Sequence, residues 1–296
     1  MALEPLRKLI AGTILKITGS GQIRFDAPPG DPGLFGPDAV CWRVHADFVP
    51  MVVGGVSALL LQMLHPLAIA GVWDHSNFRD DVMGRLARTA QFIAGTTYAA
   101  RAEAETLIAR VRRIHERVQG KDASGQPYSA SDPDLLTWVH VAEVSGFLAA
   151  HLRFTEPDMP IAEQDRYYAE MALVARMLGA RDVPETAAAV QDYLAGMVPQ
   201  LRFDDRVAEV LRVISTAPVR PAALGVFRKM VTVSAFQILP DPIRALYPRK
   251  AQPRFPVASG LMGMATPAGR WAMQGGVARR ARARVAAGNP APSPMV

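Results

Sequence analysis

The stretch from Pro50 to Val72 carries no formally charged side chain. A run that long and that apolar either crosses a membrane or is buried inside a protein. Its interruptions argue for burial: Gly54, Gly55, Gln62, His65 and Pro66 all fall within it. Pro66 lacks the amide proton that a helix interior needs, so a helix must end or kink near Leu64 or His65. The expectation is a buried core helix, and half of the 296 residues are hydrophobic, enough to enclose it.

The rest of the chain reads as an all-α fold. Aromatic residues make up 7%, while Ala, Leu, Val and Arg dominate, and most of these lose little freedom in a helix. Within residues 1–21, Leu6, Ile10, Ile14 and Ile17 recur at helical spacing. They predict a short amphipathic helix that docks on the body or lies on a membrane surface. Arg7, Lys8 and Lys16 interrupt it, unlike a signal peptide. Gln22 to Val40 reads as a loop. Asp80 and Asp81 open the next helix, where negative charge favours a helix start.

Further helices are expected over Ala99–Gln119, Leu135–Arg153, Gln164–Leu178, Pro184–Val198, Val207–Ile214 and Leu224–Leu239. Gly120 to Asp134 is a turn region, and no alternating strand pattern stands out. Residues 22–250 are predicted to form one helical domain. Residues 251–296 are predicted to form a Pro- and Arg-rich tail, disordered after Gly288.

Several function classes are excluded. The single cysteine, Cys41, rules out an intramolecular disulfide and a Cys-rich metal site, and fits a reducing cytoplasm. The net charge of +6 is concentrated at Arg270, Arg279, Arg280, Arg282 and Arg284. No nucleic-acid motif accompanies this cluster, so a basic tail against anionic lipid is expected rather than nucleic-acid binding. GxSxG, a phosphate-binding glycine loop and HExxH are all missing from the sequence.

Three groups of residues could carry chemistry. His115 shares a helical stripe with Ile108, Val111, Ile114 and Val118, while arginines cover the opposite side. An imidazole on a core-facing stripe needs a partner, and either a protein group or a metal serves. Arg85, Arg88 and Thr89 fall on one helical face at i, i+3, i+4. They could hold carboxylates or polarise oxygen, or they could form a solvated face. His65 and His75 flank the Pro66 turn, but no Cys or Glu completes a zinc shell there.

Read in order, these residues resemble a known family. The order is Gln62, His65-Pro66, Gly71-Val72, His75-Ser76 and Phe78; then Arg85-Leu-x-Arg88-Thr89; then Val111 to His115; then Tyr128 to His140. This resembles the latex-clearing rubber oxygenases and the MpaB-type oxygenases, over roughly Trp42 to Arg153. The resemblance implies a helical fold with a globin-like core around haem b, whose iron is held by a histidine matching His115. It implies an enzyme using dioxygen on an apolar, unsaturated lipid or terpenoid. Arg85 and Thr89 would orient oxygen or a haem propionate, and His140 would line or support the pocket.

Two departures stand out. Arg88 replaces the lysine of rubber oxygenases, and arginine stays protonated, so it cannot act as a neutral ligand. No glutamate lies between Glu4 and Glu103, so the base proposed for alkene cleavage has no counterpart unless Asp74, Asp80 or Asp81 supplies it. A non-catalytic haem- or lipid-binding protein on the same scaffold is the alternative.

Overall fold

A computed structural model describes residues 23–219, 224–273 and 276–288. Helices dominate: α1 (Val40–Val44), α2 (Phe48–Gln62), α3 (Pro66–His75), α4 (Val82–Tyr98) and α5 (Arg101–His115) come first. A hairpin of β1 (Gln119–Lys121) and β2 (Pro127–Ser129) follows. Then come α6 (Pro133–Phe154), α7 (Ile161–Leu178), α8 (Ala187–Met197), α9 (Asp205–Thr216) and α10 (Leu224–Gln237), followed by α11 (Asp241–Arg244), α12 (Ala258–Ala272) and α13 (Val277–Ala286). The fold is all-α, with the hairpin as an addition that sequence reasoning read only as a turn.

The uncharged stretch becomes α2 and α3, bent by 106° at the break between them. Pro66 occupies the first turn of α3, where its missing amide proton costs nothing. Helix α2 packs along α6, and α10 and α12 close over its other side. Val53, Leu60, Trp138, Val141 and Met262 are fully buried in this core. Helix α6 is long and apolar enough to cross a membrane, yet 67% of its apolar window is buried by neighbouring helices.

Local signals fix the helix starts. Asp81 caps α4 by accepting from the Gly84 amide at 2.8 Å, and Asp132 caps α6 by accepting from Asp134 and Leu135. The hairpin turn is closed by Asp122, whose Oδ1 accepts from Ser124 and Gln126. Gly125 supplies the left-handed residue there, at φ +84°. Tyr128 faces Gly120 across the pair, and the hairpin leans on α3.

The basic cluster is not a loose tail. Arg270 lies on α12 and pairs with buried Asp47. Arg284 is 1% exposed and donates to the carbonyls of Phe25, Asp31 and Tyr98. Arg282 donates to the Pro37 carbonyl. Buried residues at helical spacing, Ala258, Met262, Thr266, Gly269 and Ala272, carry this region into the core. The amphipathic N-terminal segment and the stretch after Gly288 lie outside the described residues.

Candidate functional site

The resemblance motifs meet at one cavity. Its volume is about 300 Å³. Helices α2 and α3 contribute Gln62, Gly71, Val72 and His75, and the turn after α3 contributes Ser76 and Phe78. Helix α4 contributes Arg85 and Leu86, the end of α5 contributes His115, and the hairpin and α6 contribute Tyr128, Leu135, Leu136 and Val139. Residues far apart in sequence thus share one mostly apolar wall, the usual lining of a small-molecule site. Val210 and Ile214 of α9 complete it; they lie beyond the motifs, and only tertiary packing could assign them.

His115 is the last residue of α5. The stripe it shares changes character along the helix: Ile108 is buried, while Ile114 is 50% exposed. The stripe therefore runs from the core to the cavity. Nδ1 of His115 is buried and has no hydrogen-bond partner among the described residues. Burial lowers its pKa from the usual histidine value, so at neutral pH the ring is uncharged with a lone pair available. An orphaned, neutral imidazole among apolar side chains fits a haem iron ligand.

Arg85 reaches the cavity wall, where Nη1 donates to Ser76 Oγ at 3.2 Å. Burial first, and Arg88 second, pull its pKa below the usual arginine range. Arg88 and Thr89 do not follow it. Arg88 is exposed and donates to Asp81 and Asn77. Thr89 is also exposed, and its hydroxyl donates to the Arg85 carbonyl at 3.3 Å. The expectation that all three point into one pocket is corrected here. Spacing of i, i+4 sets the angle around the helix, but it also moves Thr89 about 6 Å along the axis.

Of the two roles expected of His140, lining the pocket or supporting it, the structure leaves the second. The residue is buried on α6, but its neighbours Leu136 and Val139, not His140 itself, line the cavity. Burial, with Arg176 of α7 second, lowers its pKa to about 4. His65 and His75 sit at opposite ends of α3, a helix of 10 residues, hence about 15 Å apart along the axis. Among the described residues no group of three or more His, Cys, Asp or Glu could hold a metal ion.

Asp74 of α3 accepts from the hydroxyl of the cavity residue Tyr128 at 2.7 Å. Burial and this bond push the Tyr128 pKa up to about 12. Asp81 is used by the α4 cap. No carboxylate lines the cavity among the described residues.

Residues 42–282 match the family described as ER-bound oxygenase mpaB/B′/rubber oxygenase, catalytic domain. No curated protein and no solved structure matches the chain.

Proposed function

The chain belongs to the family of mpaB/B′ and rubber oxygenase catalytic domains, and from that premise we propose that it is a haem-b-dependent oxygenase acting with dioxygen on an apolar, unsaturated lipid or terpenoid. The family is one of oxygenases. The carrying observation is that its motif residues converge on an apolar cavity whose wall holds an unpartnered, neutral His115.

His115 would hold the iron, and Arg85 would face a propionate or the oxygen. The bound haem supplies the dioxygen chemistry that no side chain can perform. Arg85, held by Ser76, would offer positive charge at the cavity wall to a propionate or to oxygen on which negative charge develops. Tyr128 keeps its proton at the wall, directed at Asp74. Leu86, Val139, Val210 and Ile214 exclude water and grip an alkyl chain. Arg88, paired on the surface, takes no part.

A second reading, haem or lipid carriage without turnover, draws on the lack of a cavity carboxylate among the described residues. Absorption spectra and oxygen uptake separate the two. Wild type should show a Soret band and consume oxygen with an alkene substrate; a band without uptake favours carriage. His115→Ala should lose the band, and His140→Ala should keep it. The reverse pattern would reassign the ligand.

A further inference from the structure

Beside the apolar cavity lies a charged cleft of about 490 Å³. The two share Leu67 and Leu135 as walls. His65, Arg181 and Arg202 line the cleft. We propose that this cleft binds the carboxylate head of an amphiphilic substrate whose unsaturated chain lies in the apolar cavity. The proposal rests on the cavity being the substrate site.

Four observations support it. First, Arg181 and Arg202 make no ion pair among the described residues, so their guanidinium donors are available to an oxyanion. Second, both are anchored to the frame that builds the cavity. The Thr137 hydroxyl of α6 donates to the Arg181 carbonyl at 2.6 Å. The Arg202 amide donates to the Leu64 carbonyl, at the α2–α3 break, at 2.9 Å. Third, His65 is 8% exposed and its Nδ1 is buried without a partner among the described residues. Fourth, of the three carboxylates at the cleft, Asp132 turns Oδ1 to the α6 amides that it caps, and all three are exposed, so water and salt screen their charge. A molecule spanning both compartments would pass between Leu67 and Leu135, apolar end inward.

Calorimetric titration of the full-length protein tests this with three probes of equal chain length: oleate, oleyl alcohol and the corresponding alkene. Oleate should bind most tightly. Arg181→Gln and Arg202→Gln, both at exposed side chains, should each weaken oleate about tenfold, as a charge-assisted hydrogen bond does, and leave the alkene unchanged. Equal affinity for oleate and alkene would overturn the proposal. So would an equal loss of both ligands in the variants, or a loss of haem content, which would make the arginines propionate anchors. The titration reads binding alone, so a failure of the oxygenase reading appears separately, as absent oxygen uptake.

Discussion

Gly54 of α2 and Gly146 of α6 meet backbone to backbone. A methyl added at Gly54 would lie 2.7 Å from the Gly146 carbonyl oxygen, and one at Gly146 would lie 2.6 Å from that of Gly54. This contact sets how closely the two central helices approach, and both line the cavity at their ends. Gly54→Ala and Gly146→Ala should each destabilise the protein by about 1–3 kcal/mol through overpacking. Gly196→Ala, with open space around it, should instead stabilise by about 0.4–1 kcal/mol. Urea midpoints that move the same way in all three would refute the close-approach argument.

Arg85 and Thr89 should separate in kinetics. Arg85→Gln removes the charge at the cavity wall and should lower oxygenase turnover by a factor of about 100–1,000. Thr89→Val touches only an exposed hydroxyl bonded to its own helix and should leave turnover unchanged. Haem content should hold in both. Equal losses in the two variants would restore Thr89 to the site.

Stability should fall on acidification. Burial first, then the nearby His151, holds His45 at about 3, and His140 sits at about 4; unfolded histidine titrates near 6.5. Between about pH 4 and 6.5 the unfolded chain binds protons that the folded chain refuses. Glu143 opposes this, because burial raises it to about 7. It therefore keeps a proton in the folded state that the unfolded chain loses. Two protons against one leave a net slope of about 1.4 kcal/mol per pH unit, with stability lost as pH falls from about 6.5 to 4.5. The lowered values at His65, His115 and His151 add in the same direction. Denaturation midpoints at several pH values across this window check the sign.

Arg284 should behave as a core residue. Arg284→Leu leaves three carbonyls, those of Phe25 and Tyr98 buried and that of Asp31 partly so, without their donor and should cost on the order of 3 kcal/mol. Arg254→Ala, at an exposed position, should change little. A thermal shift of equal size in both would place Arg284 on the surface.

Fractionation bears on location. We propose at most peripheral membrane contact, since 67% of the apolar window of α6 is buried by other helices. Carbonate washing should release it from membranes. Retention until detergent is added would make it integral.

Much of this was legible in the sequence. Pro66 fixed the break between α2 and α3, because a prolyl nitrogen cannot donate within a helix. Asp80 and Asp81 marked a helix start, and Asp81 caps it, because a short carboxylate can reach orphan amides. The spaced motifs pointed to the family and to His115 as the residue to watch. Tertiary structure decided what periodicity cannot. Helical spacing gives an angle but not a depth, so only packing shows that Arg85 enters the cavity while Thr89 stays outside. Arg284 looks like any other tail arginine until Phe25, Asp31 and Tyr98 turn three carbonyls toward it. The charged cleft beside the cavity has no sequence signature, because Arg181 and Arg202 reach it from separate segments held in place by α6 and the α2–α3 break.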